Sequence, residues 1–219
     1  MNRLVPFVLL AAFAGCATTS SPPPTAQPAP IVTEAPPPSR QVVSDIRDSK
    51  NLRDAEALAH SLPLESTLVV FDIDDTLLTA PRFFGSDTWY RWQKNLPNDD
   101  QDKITCLFTD LLGFDYEAAG LIQTQDDAAE IFNRIPNDKL FLTSRSPDYR
   151  GGTERELVGN GVVLPSLILG QSPQLLINSA SQRMSYDRGI YMTAGFDKGD
   201  ALVQLLGGSK KYTTVMLVD

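Results

Sequence analysis

The sequence predicts an α/β protein: a Rossmann-like parallel sheet flanked by helices and interrupted by a mainly helical insertion. Three observations predict it. The run Leu68-Val69-Val70-Phe71 is wholly apolar and β-favouring and stops abruptly at Asp72, as a strand buried on both faces does where it empties into a site. Further β-prone stretches alternate with helical patterns, the order that a parallel sheet with right-handed crossovers requires. Between the first two strands lies a stretch from Pro81 to Pro136 whose pattern is helical and aromatic.

The elements follow in order. Val42 to Leu62 carries apolar residues at near-helical spacing among charges, and Pro63 closes it. Thr67 to Phe71 is the first strand. The insertion follows, with Phe83, Phe84, Trp89, Tyr90 and Trp92 near its start and a helical pattern over Asp126 to Arg134. Aromatics at that density read as the insertion's own small core or as the lining of a substrate pocket. Leu140-Phe141-Leu142 is a second strand ending in Thr143-Ser144-Arg145, and a helix over Gly152 to Asn160 stops at Asn160-Gly161. Val162 to Leu169 is β-prone, and residues 171–188 fit loops or a second small insertion. Ile190 to Thr193 reads as a strand, Lys198 to Leu206 as a helix ended by Gly207-Gly208, and Lys211 to Val218 as a final strand reaching Asp219.

The first 40 residues read as processing and tether. Asn2 and Arg3 precede an apolar run, Leu4 to Ala14, too short to span a bilayer. The run ends in Phe13-Ala14-Gly15-Cys16, which resembles the lipobox of bacterial lipoproteins. That resemblance implies a signal peptide over residues 1–15, lipidation of Cys16 and, with Ala17 next, an outer-membrane anchor facing the periplasm. Residues 16–40 hold half of the chain's 16 prolines, a composition that buries no core and favours an extended tether. The predicted organisation is thus signal 1–15, tether 16–40, α/β core 41–80 and 137–219, and cap 81–136.

Charge and composition narrow the function. The 219 residues carry a net charge of −8, which argues against nucleic acid as a partner. With Cys16 assigned to lipid, Cys106 has no partner for an intrachain disulfide. His60 is the sole histidine, so a histidine phosphatase, a serine triad or a His-ligated zinc site would have to be built on it. It reads as an exposed helix residue. Asp72 and Asp74 are the informative acids. They sit where open α/β sheets bind ligands, and a continued extended backbone sends both carboxyls to one side. Two carboxylates that close repel unless a cation lies between them or one is protonated, so the pair reads as half of a Mg²⁺ site with one acid free as nucleophile.

Four short motifs then line up from Leu68 to the end. Phe71-Asp72-Ile73-Asp74-Asp75-Thr76 resembles the first motif of the haloacid dehalogenase superfamily, the DxDxT of its phosphatases. Thr143 matches its second motif, Lys198 in Gly195-Phe196-Asp197-Lys198-Gly199 its third, and Val215 to Asp219 its fourth. The stretch from Gly85 to Gln93 looks like a poorly characterised bacterial family of unknown function, and the Asp-Ile-Asp-Asp-Thr and Ser-Arg-Ser-Pro wording is similar to periplasmic class B acid phosphatases. The resemblance implies a haloacid dehalogenase-like core whose cap selects a small phosphorylated substrate. Asp72 would be the nucleophile and Asp74 the general acid and base. Lys198 would steady the phosphoaspartate, and Thr143 with Ser144 would hold phosphate. Mg²⁺ would be held by Asp72, by Asp74 through its backbone carbonyl, and by Asp219.

One departure sets a second expectation. The family pattern continues past its fourth motif with another acid, a helix and usually a strand, whereas the sequence stops at Asp219. The last strand would then be an uncovered edge and the activity weak or lost. The alternative function is therefore a catalytically inert anchored scaffold derived from this fold by C-terminal truncation.

Overall fold

The fold is described from a computed structural model covering residues 43–105, 108–118, 120–177 and 181–219; the signal segment with Cys16, the Pro-rich tether and Cys106 lie outside the described residues. Strand β1 (Thr67–Phe71) is buried at every position, and its alternating side chains feed two separate apolar layers. Val69 and Phe71 face one layer, with Phe141 beside them; Leu68 and Val70 face the other, with Leu140 and Leu142. A period of two along a strand covered on both faces is what turns an unbroken apolar run into two cores.

The sheet has six strands in the order β5-β6-β7-β4-β1-β8. Strand β4 (Asp138–Thr143) and β8 (Thr214–Val218) flank β1 in parallel, and β7 (Ile190–Met192) joins β4 in parallel. Strands β5 (Gln174–Ile177) and β6 (Arg183–Asp187) extend it antiparallel. The protein is thus α/β with a mostly parallel central sheet flanked by helices. Helices α1 (Leu52–Ser61), α4 (Ala128–Arg134) and α5 (Arg150–Gly159) contribute to the first layer, where the Phe132 ring stacks on Phe141 at 4.4 Å and meets Phe71 edge-on at 5.2 Å. Helix α6 (Lys198–Leu206) covers the second with Ala201 and Leu205. Among the described residues no helix is long and apolar enough to cross a membrane.

Helix α6 keeps the bounds expected of it, because its ends are written locally. The Asp197 carboxylate accepts from the Asp200 N–H at 2.9 Å, and Gly207 stops the helix in the left-handed region. The helix read from Val42 begins only at Leu52, after the Asn51 cap, and three further stretches differ from the sequence reading. Val162 to Leu169 forms no strand; Pro165 has no N–H to give a ladder, and the Ile168 N–H donates to the Tyr186 hydroxyl at 2.9 Å instead. Residues 174–187, read as loops or an insertion, supply β5 and β6. The β6–β7 turn needs positive φ at Arg188 and Gly189, and a Cβ on Gly189 would lie 2.6 Å from Pro165.

The third difference is the extent of the insertion. The chain leaves the core at β2 (Leu78–Thr79) and returns at β3 (Ile122–Gln123), and these pair antiparallel as a stem. Helices α2 (Asp87–Asn95) and α3 (Phe108–Ala118) lie between them. Trp89 is buried there against Phe84 and Phe108, with ring centres at 4.8 and 5.6 Å, so these aromatics serve the insertion's own core. Helix α4, which the sequence reading assigned to the insertion, packs under β1 and β4.

Candidate active site

The parallel register decides which acids meet. Phe71 pairs with Val218, and the Asp72 N–H still donates to the Val218 carbonyl at 2.9 Å. Asp72 and Asp219 therefore stand side by side just past the carboxyl ends of β1 and β8. Lys198, the first residue of α6, reaches both: its Nζ lies 2.9 Å from Asp72 Oδ2 and 2.9 Å from Asp219 Oδ1. Burial raises the Asp72 pKa to about 6 against the pull of Lys198. Burial also pushes Asp219 upward, but hydrogen bonds to Lys198 and Asp72 outweigh it and hold that carboxyl below its ordinary value. Of the two acids, Asp72 is the one that more readily carries a proton.

Past Asp72 the chain tightens into a loop. The Ile73 carbonyl accepts from the N–H groups of Leu77 and Leu78 at 3.0 and 2.9 Å, and Asp75 adopts a positive φ of 56°. The loop sends Asp74 to a different cation. Arg145 holds both Asp74 oxygens, Nε to Oδ2 at 3.0 Å and Nη2 to Oδ1 at 2.6 Å. Its third contact is Nη1 to Thr153 Oγ1 at 3.0 Å, and the Tyr116 ring covers the guanidinium at 4.2 Å. The Arg145 side chain is 1% exposed whereas that of Asp74 is 38% exposed, so the cation is sealed and the acid faces out. Neither Arg145 nor Arg150 is free to grip a substrate anion. Arg150 donates to the Ser185, Asp187 and Ile190 carbonyls at 3.1–3.2 Å.

These groups line an open cleft of about 490 Å³ between the strand ends and the insertion. Asp72, Asp74, Ser144 and Asp219 border it from the core, and Ser86, Tyr90 and Tyr116 from the insertion. Thr143 stands behind the lining, fully buried, with its hydroxyl accepting from the Arg145 N–H at 3.2 Å. Asp72, Asp74, Ser144, Lys198 and Asp219 are brought together, then, and Thr143 supports them from below. Arg145 and Tyr116 complete the site without having been singled out as site residues. A lone Arg reads as a surface residue, and Tyr116 lies more than 40 residues from Asp74 in sequence.

The donor set can be tested for a cation. Asp72, Asp74, Asp75, Asp87 and Asp219 line the cleft with Arg91 and Arg145, and Lys198 reaches Asp72 and Asp219; Arg91 is paired with Asp87 at 2.6 Å, so the strand ends carry excess negative charge. An anionic substrate would be repelled there without a divalent ion. Among the described residues no three His, Cys, Asp or Glu side chains are grouped to cage a metal. Asp72 and Asp219 are the adjacent pair of carboxylates, and Lys198 bridges both. Such a sparse hard-oxygen set suits Mg²⁺, which keeps several waters and takes one or two carboxylates.

His60 is exposed on α1 and is not among the residues that line the cleft. No curated protein and no solved structure matches this chain. Residues 46–219 match the family model described as Protein of unknown function (DUF2608), and the chain belongs to that family.

Proposed function

We propose that the protein is a Mg²⁺-dependent phosphomonoester hydrolase of the haloacid dehalogenase type, working through an aspartyl-phosphate. The single observation that carries this reading is Lys198 bridging Asp72 and Asp219 at 2.9 Å at the ends of adjacent parallel strands. An ammonium held there offsets the negative charge that the nucleophile and the incoming phosphate would bring together.

The chemistry assigned to each residue follows from its surroundings. Asp72 Oδ attacks phosphorus, forming the Oδ–P bond as the bond from phosphorus to the ester oxygen breaks. Asp74, facing the cleft, gives its proton to the departing alcohol oxygen. In the second half a water attacks the phosphoaspartate and yields a proton to Asp74, releasing phosphate and restoring Asp72. Asp72 and Asp219 would hold Mg²⁺, with the Asp74 carbonyl as a third donor; the ion supplies charge neutralisation for the transferring phosphoryl group. Ser144 lines the cleft beside Thr143 and offers a hydroxyl to a phosphate oxygen. The substrate is a small phosphorylated molecule admitted between the strand ends and the insertion, which acts as a cap.

The test is hydrolysis of p-nitrophenyl phosphate by the full-length chain with and without Mg²⁺, beside Asp72→Asn. Turnover that needs Mg²⁺ and disappears in the variant supports the reading; a folded wild type that is inert, or a variant as active as the wild type, rejects it. From the lipobox-like Phe13-Ala14-Gly15-Cys16 and Ala17 we infer separately that the protein is lipid-anchored at Cys16 in the outer membrane, facing the periplasm. Fatty-acid labelling lost in Cys16→Ala is the expected result, and labelling that persists would remove the anchor from the account.

A further inference from the structure

Within the phosphatase reading, on which this inference rests, we propose that Tyr116 and Arg145 form a positioning relay from the insertion to Asp74. Seating of the cap helix α3 thereby sets the orientation of the general acid.

The relay is built from three contacts. Arg145 takes one lone pair on each Asp74 oxygen in a bidentate fork, at 3.0 and 2.6 Å, which fixes the plane of the carboxyl and leaves its outer lone pairs to the cleft. Thr153 on α5 holds the far side of the guanidinium at 3.0 Å. Tyr116 on α3 closes its face at 4.2 Å, a cation–π geometry over a guanidinium whose side chain is 1% exposed. Without the ring, one face of a buried cation would open to solvent and the fork would be free to tilt.

The position of Tyr116 is in turn set by how α3 seats on α5. The Glu117 carboxylate accepts from the Gly152 N–H at 3.1 Å and from Arg155 Nη2 at 3.0 Å. The approach is close enough that a Cβ on Gly152 would lie 2.5 Å from the Tyr116 carbonyl oxygen, so only glycine admits it. The Asp74 carboxylate is linked to α3 through Arg145 and Tyr116, while its backbone bridges to Leu78 in the stem. Substrate entering beneath the insertion would therefore meet an aligned acid when α3 is down.

The experiment compares an ester that needs a proton on its leaving group with one that does not. On an alkyl phosphate, Arg145→Gln is expected to slow the first turnover by about 100-fold, the lower end of what a placed general acid contributes. On p-nitrophenyl phosphate, whose leaving group departs as an anion, the first-turnover burst is expected to change little, because Asp74 then acts only in the later attack of water, a step that both esters share. Tyr116→Leu is expected to lower alkyl-phosphate turnover by roughly 10-fold, and Tyr116→Phe, which keeps the ring, to restore it. Gly152→Ala, which touches neither side chain, is expected to follow Tyr116→Leu. A second readout is independent of turnover: the Arg145 Nε–H resonance should shift and exchange faster in Tyr116→Leu. Equal losses of first-turnover rate on both esters, or an Nε–H signal indifferent to Tyr116, would overturn the relay. A wild type inert on both esters whose Nε–H signal still responds to Tyr116 would overturn the phosphatase reading and leave the coupling standing.

Discussion

The two ends of the same parallel strands each carry an aspartate bridged to a lysine, and the pairs behave in opposite ways. At the amino end of β4, Asp138 meets Lys211 and accepts from the Tyr212 hydroxyl at 2.5 Å. Burial pushes that carboxyl up, but the two donors outweigh it and hold its pKa below the ordinary value. At the carboxyl ends, Lys198 is shared between Asp72 and Asp219; burial prevails at Asp72, raising it to about 6, while Asp219 stays below its ordinary value. One end has donors to spare for a single acid. The other has acids in excess of cations, faces a cleft and is left short of positive charge. A satisfied cluster ties elements together, whereas an under-neutralised one is held ready for a cation or a phosphoryl group.

The largest expected effect would break this contrast if it failed. Asp72→Asn should lower kcat by at least about 10⁴-fold, as removal of a covalent nucleophile does in other hydrolases. Asp138→Asn should leave kcat unchanged, and steady-state turnover of both variants checks it. A smaller effect sharpens the electrostatics. Mg²⁺ at 100 times its dissociation constant should stabilise the wild type by about 2.7 kcal/mol, read as a rise in melting temperature. Asp219→Asn should lose most of that rise, and Asp138→Asn should keep it.

How far this site could be read in advance depended on whether its determinants are local. Asp72 and Asp74 stood out because an unbroken apolar strand ends directly in them. Lys198 and Asp219 were reached through the resemblance of their stretches to the third and fourth motifs, and the register of β8 on β1 is what sets Asp219 beside Asp72. Arg145 did not stand out, since nothing in Thr-Ser-Arg-Ser-Pro tells a buried bidentate cation from a solvated one; only the loop after β1, 71 residues away, brings Asp74 to it. The antiparallel extension was hidden for a different reason. Leu175 and Ile177 are exposed rather than buried, and the β6–β7 turn puts Arg188 in a left-handed conformation that its side chain does not advertise. Helix α4 carries apolar residues as the insertion does, and only its packing on Phe71 and Phe141 assigns it to the core.

The smallest effect concerns the amino end alone. Asp138 has a lowered folded-state pKa, so its contribution to stability is present above the unfolded value and is lost as pH falls through the folded one. The pair is part-exposed, which limits the contribution to roughly 0.5–1 kcal/mol. Urea denaturation should find Asp138→Asn less stable than the wild type by that amount at neutral pH, with the gap closing as the solution is acidified below the ordinary aspartate range. A gap that widened on acidification would mean that the Lys211 and Tyr212 contacts do not favour the carboxylate.

The central claim, that Asp72 is the group which takes the phosphoryl, is tested most directly by acid-quenching the full-length chain during turnover and mapping its peptides by mass spectrometry. The account predicts an acid-stable, base-labile phosphoryl group on the peptide that contains Asp72, absent from Asp72→Asn and enriched when Asp74→Asn slows hydrolysis of the intermediate. Turnover with no phosphoryl group on that peptide, or with one carried by another residue, would contradict it.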